Sequence, residues 1–239
     1  PLSLRDKLRA VDASKKPSPA APQAPVFDDC WHGSKLFPLE SVPGAWDIPM
    51  DMVRLMEPGV LPERLAPERI LYLDTETTGL SGGAGTVAFL TGLGYLTDDG
   101  FLVHQYLMRD YPEERFLLEN VRAMLPQFDV LCTFNGKSFD LPLLQSRFRM
   151  NRMDASVLEK PHIDLLHLAR RVWKLRLGRC NLGRLEEAIF GQPRVDDLPG
   201  NQVPERYFSF LKTGDFHLLQ DVLEHNQQDI ASLCHLLTH

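Results

Sequence analysis

The fold is decided by the stretch Ile70-Leu71-Tyr72-Leu73-Asp74-Thr75-Glu76-Thr77-Thr78-Gly79, in which an apolar run ends in two carboxylates and a turn. The run is brief, rich in residues that favour strands and closed by a glycine, so it predicts a buried β-strand. Residues i and i+2 of a strand point the same way, which places Asp74 and Glu76 on one face. Two adjacent carboxylates raise each other's pKa unless a cation neutralises them. An isolated Asp-x-Glu pair is more often two solvated acids, so the function depends on what lies further along the chain.

The composition is that of an ordinary globular protein. A chain of 239 residues fits one domain with extensions, or at most two small domains. The four cysteines are widely spaced and form no CxxC pair, which favours free thiols in a reducing compartment. No apolar run is long enough to span a bilayer, and the start lacks the layout of a secretory signal. We therefore expect a cytoplasmic protein without membrane contact.

The charge is unevenly distributed along the chain. A net charge of −6 argues against a protein that holds nucleic acid simply by being basic. Residues 145 to 184 nevertheless contain ten Lys or Arg against three acids. A basic stretch in an acidic protein is a candidate phosphate track, although a set of solvated helix faces explains the same charges equally well.

The order of the predicted elements indicates a mixed α/β fold. Residues 1–26, with four prolines between positions 12 and 25, are predicted to form a flexible N-terminal tail, and residues 27–69 an extension that packs on the main domain. The main domain, 70–239, begins with three antiparallel strands, after which helices alternate with strands. His162-Ile163-Asp164 is expected to open one of these helices, with Asp164 as a cap.

Two further acids follow later in the chain. Asp140 comes at the amino end of a helix, after the tight turn that Asn135 begins, where Asp is also a routine helix-start residue. Asp229 lies on the last helix, four residues after His225 and therefore on the same face. Apolar residues of this helix lie along the same face, and a carboxylate on a buried face is costly unless it has a partner. Asp229 therefore needs a partner. His225 has the simpler interpretation of a histidine on the helix surface.

Four carboxylates in this arrangement indicate a metal site. Carboxylate and water ligands suit Mg²⁺ or Mn²⁺ rather than zinc. Two such divalent metal ions form the usual clamp for displacement at phosphorus. We therefore infer phosphodiester hydrolysis.

Three motifs, DTETTG, NGKSFDLP and HNQQD, occur in the order found in a known family. They resemble the exonuclease motifs of the DnaQ-like (DEDD) 3′–5′ exonucleases of the ribonuclease H-like superfamily. The NxxxFD form is similar to the proofreading domains of family B DNA polymerases. The span from Leu71 to His239, with PHIDLL, NLGRLEE and DLPGNQVPERYFSFLKTGD, resembles the YprB-like group of uncharacterised bacterial nucleases. The resemblance implies a ribonuclease H-like mixed β-sheet flanked by helices.

The resemblance also implies roles for the acids. Asp74, Glu76 and Asp229 would hold the metal nearer the attacking water, and Asp74 would bridge to a second metal that Asp140 supports. These exonucleases carry Tyr four residues before the last Asp or His five before it, whereas this chain has His225 four before. An imidazole at that position is a candidate acceptor for the proton of the attacking water.

The implied substrate is nucleic acid, with a single-stranded 3′ end entering the site. Candidate contacts to the terminal nucleotide are Thr77, Thr78, Gly79 and Leu80. Lys137 would neutralise a phosphate, and so would some of the arginines between Arg147 and Arg184. Asn135 is a further candidate contact, although it fixes the turn more readily.

Two alternatives stay open from the sequence. An endonuclease is compatible with the same fold, because this fold supports both outcomes. A catalytically silent module that binds nucleic acid is the second alternative. The presence of all four acids argues against it, since such a module needs no charge cluster.

Overall fold

The computed structural model describes residues 30–59, 61–79, 85–194 and 197–239. The strands in these ranges are β1 Trp31–Phe37, β2 Ile70–Thr77, β3 Ala88–Thr97, β4 Gly100–Leu107, β5 Val130–Thr133 and β6 His162–Asp164. The α-helices are α1 Met50–Met56, α2 Glu114–Met124, α3 Asp140–Met150, α4 Leu165–Leu177, α5 Leu182–Leu185, α6 Val203–Thr213 and α7 Gln220–Leu237, with a π-helical segment Glu186–Phe190 directly after α5. In these ranges no helix is long and apolar enough to cross a membrane.

The strands form one mixed sheet in the order β1-β4-β3-β2-β5-β6. The pairs from β1 to β2 are antiparallel, whereas β2, β5 and β6 run parallel. This confirms the predicted α/β fold, in which β2, β3 and β4 are the three antiparallel strands and helices alternate with strands afterwards.

Strand β1 was not predicted. It lies in the proposed extension 27–69 and pairs with β4 along its whole length, from Trp31 opposite Leu107 to Phe37 opposite Phe101. An edge strand with several exposed side chains lacks the alternating pattern by which a strand is recognised. The predicted tail, 1–26, lies outside the described residues, and the division at residue 70 stays a proposal.

The start of the helix α4 differs from the prediction. His162, Ile163 and Asp164 are buried and form β6, which pairs with β5, and α4 begins only at Leu165. Three buried residues are too few to show a strand period in the sequence. Asp164 caps the helix as expected, since its carboxylate accepts a hydrogen bond from the backbone N–H of Leu166 at 3.1 Å.

The helices cover both faces of the sheet. Buried side chains of α2, α3 and α6 form one core, and those of α1, α4 and α5 form the other. The long helix α7 contributes to both, with Val222 and Leu223 in the first core and Ile230 in the second. On β2, Tyr72 packs in the second core. Asp74 and Glu76 continue the row of Tyr72 and share its face.

Two glycines allow α7 to lie close against β3. A Cβ atom added at Gly92 would overlap the side chains of Ile230 and Asn226, and one added at Gly94 would overlap Ile230. Gly92 pairs with Asp74 on one side and with Gln105 on the other. The helix therefore crosses the sheet directly beside Asp74.

We predict that Gly92→Ala destabilises the protein, because the new methyl group pushes α7 away from the sheet. Overpacking of this kind costs about 1–3 kcal/mol, measurable by chemical denaturation. Gly183→Ala is the matched control, since a Cβ atom there meets nothing within 4 Å and alanine favours the helix α5. A Gly92→Ala variant as stable as the unsubstituted protein would contradict the close approach.

Candidate active site

The buried acids of β2 lie near the carboxyl end of that strand. The side chain of Glu76 is 12% exposed. Burial raises the pKa of Asp74 well above its usual range, and the charges of Asp229, Glu76 and Asp140 raise it further. Burial also raises the pKa of Glu76 to about 7, although the charge of His225 opposes the change. The structure therefore brings Asp74, Glu76 and Asp229 close enough for their charges to interact.

Asp74 is held by a buried chain of amides. The side-chain amide of Asn226 on α7 donates to Asp74 Oδ2 at 2.8 Å. Its oxygen accepts a hydrogen bond of 2.9 Å from Gln105 Nε2, and Gln227 donates to the oxygen of Gln105 at 2.7 Å. Asn226 and Gln105 are fully buried. These hydrogen bonds fix the carboxylate of Asp74 and connect α7 to β4 over Gly92, which has no side chain.

Asp229 has a cationic partner that the sequence did not reveal. Its Oδ1 lies 2.5 Å from Arg194 Nη2. The same guanidinium binds the buried Glu186 through two hydrogen bonds and donates to Asp197 at 2.9 Å. Burial raises the pKa of Asp229 in spite of Arg194, whose charge lowers it. Arg194 is thus the partner that a carboxylate on the buried side of α7 requires.

His225 is oriented by a carboxylate on its far side. Its Nδ1 lies 2.7 Å from Asp197 Oδ1. Its Nε2 faces the acids, at 3.9 Å from Glu76 Oε1 and 3.7 Å from Asp229 Oδ2. Burial alone would lower the pKa of His225, but the charge of Asp229 and the hydrogen bond to Asp197 raise it above the ordinary value. His225 is therefore part of the acid cluster rather than a histidine on the helix surface.

Asp140 lies beside this cluster. It begins α3, and its carboxylate accepts a hydrogen bond of 2.5 Å from the hydroxyl of Thr75. Successive strand residues point to opposite faces, so Thr75 points away from the face of Asp74 and Glu76. Burial raises the pKa of Asp140 to about 6, while the bond from Thr75 opposes the rise. The hydrogen bond from Thr75 thus holds Asp140, the first residue of α3, near the carboxyl end of β2.

The predicted contacts to the terminal nucleotide shape the turn after β2. The hydroxyl of Thr77 donates to the carbonyl oxygen of Gly79 at 2.9 Å, and that of Thr78 accepts from the backbone N–H of Val87 at 3.0 Å. Leu80 lies outside the described residues. In this turn the threonine hydroxyls are engaged in local bonds.

The turn after β5 is held by Asp164. Its carboxylate accepts hydrogen bonds from the backbone N–H groups of Asn135 and Lys137, at 2.8 and 3.0 Å. Asn135 has a φ of 68°, the left-handed conformation that Asn tolerates well. The ammonium group of Lys137 lies 3.4 Å from Glu57. Asn135 therefore shapes the turn, as expected from its sequence context, and Lys137 is engaged with a carboxylate.

The donor set of the cluster suits a hard divalent cation. Carboxylate oxygens are the ligands that Mg²⁺ and Mn²⁺ prefer, and buried carboxylates with raised pKa values favour any cation that neutralises them. In the part of the chain that the structure describes, however, no three His, Cys, Asp or Glu side chains already have the spacing of a metal site. Arg194 and Asn226 occupy oxygens of Asp229 and Asp74 instead.

Three residues of the cluster were missed by sequence reasoning. Asn226 stands inside HNQQD, three residues before Asp229, and the helical spacing places it on a neighbouring face. The sequence therefore contained a spacing signal by which Asn226 could have been identified. Arg194 and Asp197 lie in an irregular segment, where no periodicity indicates which element a side chain contacts.

The comparison with known proteins identifies the family. Residues 71–239 match the model of the RNase H superfamily. The uncharacterised protein YprB of Bacillus subtilis is 40% identical over 173 residues, which cover 71% of this chain and 41% of YprB. A DNA polymerase of Pyrococcus glycovorans is 28% identical over 179 residues, which cover 62% of this chain and 23% of the polymerase. The chain thus spans less than half the length of these relatives.

A solved structure supports the fold. The family B DNA polymerase of the hyperthermophilic archaeon Pyrobaculum calidifontis aligns with a TM-score of 0.57 and 17% sequence identity. The alignment covers 74% of this chain and 24% of the polymerase. This alignment supports the fold, and the match of the family model over residues 71–239 shows that the chain belongs to the RNase H superfamily.

Proposed function

We propose that this protein is a metal-dependent nuclease that hydrolyses phosphodiester bonds, and that it acts as a DnaQ-like 3′–5′ exonuclease on single-stranded nucleic acid. The observation that carries the proposal is the cluster of Asp74, Glu76 and Asp229, with Nε2 of His225 facing the last two. Membership of the RNase H superfamily and the similarity to DNA polymerases support this chemistry. The 3′–5′ polarity rests on the resemblance of the three motifs.

The proposed metal ligands are the acids of the cluster. Asp74, Glu76 and Asp229 would hold one Mg²⁺ or Mn²⁺, and Asp74 with Asp140 would hold the second. Two such ions, when bound, stabilise the attacking and leaving oxygens of the phosphate. Arg194 contacts Oδ1 of Asp229, so this oxygen would have to leave the guanidinium to become a ligand, and Glu186 and Asp197 would then retain Arg194.

His225 is the proposed proton acceptor. Asp197 holds its Nδ1, so that Nε2 points towards Glu76 and Asp229. A carboxylate on Nδ1 fixes the ring and the tautomer, as in other catalytic histidines. Two of the acids that raise the pKa of His225, Asp229 and Glu76, are ones that bound cations would neutralise. With these acids neutralised, the pKa of His225 would fall, so the ring would more readily be neutral and accept a proton from water at Nε2.

The substrate contacts stay proposals that the geometry makes more specific. Thr77, Thr78, Gly79 and Leu80 would meet the terminal nucleotide mainly through the backbone, because the two threonine hydroxyls bond within the turn. Lys137 would leave Glu57 to reach a phosphate, and Asn135 would keep the turn in place.

A catalytically silent module that binds nucleic acid is the second candidate, and one observation favours it. Arg194 neutralises part of the charge on Asp229, and Asn226 donates a hydrogen bond to Asp74, without any metal ion. A module of this kind would bind nucleic acid without cleaving it. An endonuclease of the same fold would cleave internal bonds, so an end-labelled substrate separates all three functions.

We predict that Asp74→Asn stabilises the metal-free protein, because it removes one of the buried charges that repel each other. Raised native pKa values mean that the folded state retains protons, so its stability falls as pH rises from about 4 towards 7. Glu76 alone contributes on the order of 3 kcal/mol to this loss. Denaturation in EDTA should therefore show a larger gain from Asp74→Asn at pH 8 than at pH 5.

The control for this measurement is Asp98→Asn, a change of an exposed acid in the turn between β3 and β4. Because Asp98 lies outside the acid cluster, this variant should lack the gain in stability expected for Asp74→Asn. Added Mn²⁺ should raise the stability of the unsubstituted protein and of the control, but much less that of Asp74→Asn. Equal stabilisation of all three proteins by Mn²⁺ would contradict the metal assignment.

We predict that Mn²⁺ supports shortening of 5′-labelled single-stranded DNA or RNA from the 3′ end, and that Asp74→Asn abolishes it.

His225→Ala should lower kcat by about 10²–10⁴, the usual contribution of a general base. Asp197→Asn should lower kcat less and leave KM unchanged, because the imidazole is still present but no longer held. Binding without cleavage by the unsubstituted protein would support the silent module, and undiminished activity of His225→Ala would exclude its proposed role.

A further inference from the structure

The surface of α4 and the following turn carries concentrated positive charge. Residues 165–185 contain six basic residues and no acidic residue, in a chain whose net charge is −6. All six are exposed, and they are Arg170, Arg171, Lys174, Arg176, Arg179 and Arg184. The opposite side of α4 is buried, with Leu165, Leu168 and Ala169 in the core. Four of the cations therefore form the outward side of α4, whereas Arg179 lies in the turn after it and Arg184 on α5.

Four of these cations are not neutralised by acids. Arg171 lies 3.9 Å from Glu57, and Arg184 lies 2.5 Å from Glu187. The remaining four have no ion-pair partner among the residues that the structure describes, and we refer to them as the basic surface: Arg170, Lys174, Arg176 and Arg179.

This arrangement destabilises the isolated helix. Arg170 and Lys174 are four residues apart, and like charges at this spacing repel each other. An acid at a neighbouring exposed position would relieve the repulsion, but the exposed Val172 and Leu175 are apolar. The charge is therefore best explained by a polyanionic partner that neutralises it on binding.

The basic surface is connected to the candidate active site through the sheet. α4 begins directly after β6, which is parallel to β2, the strand that carries Asp74 and Glu76. Carboxyl ends of parallel strands lie at the same edge. A helix of 13 residues extends about 20 Å from that edge. At roughly 3.4 Å for each nucleotide, this length corresponds to several nucleotides of one strand.

We propose that the basic surface binds the sugar-phosphate backbone of the nucleic-acid strand several nucleotides away from the scissile bond. The role in substrate binding rests on the proposed nuclease function, whereas the binding itself requires no cleavage. Lysine and arginine contacts to phosphates carry no sequence information. The surface would therefore favour long strands over short ones without selecting a sequence.

The test compares two double variants with the same change of charge. Lys174→Glu/Arg176→Glu reverses part of the basic surface. Arg122→Glu/Lys212→Glu reverses two exposed cations on α2 and α6, whose buried sides pack on the other face of the sheet. Thermal unfolding of both variants verifies that they fold. Fluorescence anisotropy in EDTA then measures binding of labelled 20-nucleotide DNA and RNA between 50 and 200 mM salt, a range over which phosphate contacts are strongly weakened.

The Lys174→Glu/Arg176→Glu variant should bind at least about tenfold more weakly at 100 mM salt. In a plot of the logarithm of the affinity against the logarithm of the salt concentration, its slope should be shallower by about 1.4, since each lost phosphate contact removes about 0.7. The control variant should stay within about twofold of the unsubstituted protein. Equal weakening of both variants, or no binding by the unsubstituted protein, would overturn the proposal.

Cleavage separates this proposal from the proposed function. With Mn²⁺, the Lys174→Glu/Arg176→Glu variant should cleave a 20-nucleotide strand more slowly at low substrate concentration, yet cleave a dinucleotide at the unsubstituted rate. Loss of dinucleotide cleavage would overturn the assignment of a remote surface. If the unsubstituted protein cleaves neither substrate but the binding difference persists, the proposed nuclease function fails and the basic surface stands.

Discussion

The candidate site depends on the close approach of α7 to the sheet. Gly92 and Gly94 remove the side chains that would hold the helix away from β3. Because of this approach, Asn226 reaches both Asp74 on β2 and Gln105 on β4. Asp229 lies one turn further along the same helix. A single packing constraint therefore brings together acids that are more than 150 residues apart in the sequence.

The electrostatic balance of the cluster follows from this packing. Burial raises the pKa values of Asp74, Glu76 and Asp229, and the charges of neighbouring carboxylates raise them further. Arg194 neutralises part of the charge by binding Asp229, while Glu186 and Asp197 hold its guanidinium in place. An internal cation thus stands beside acids that suit a divalent metal ion. In this arrangement, metal binding and the Arg194–Asp229 ion pair compete for the same carboxylate.

The sequence predicted those parts of the structure that have local signatures. The strand with Asp74 and Glu76 was visible as a short continuous apolar run closed by a glycine, and the helix with Asp229 as an apolar stripe of helical period. The edge strand β1 and the three-residue strand β6 were not, since an exposed edge strand and a very short strand lack such periodicity. Arg194 and Asp197 could not be assigned, because the contacts of an irregular segment are determined by tertiary packing alone.

The most direct measurement is anomalous diffraction from crystals of the protein grown with Mn²⁺. We predict a strong anomalous peak bound by carboxylate oxygens of Asp74, Glu76 and Asp229, at about 2.0–2.3 Å as expected for hard divalent cations, with Asp229 Oδ1 released from Arg194. An Arg194–Asp229 ion pair that stays intact at saturating Mn²⁺, with no peak among these acids, would contradict the account.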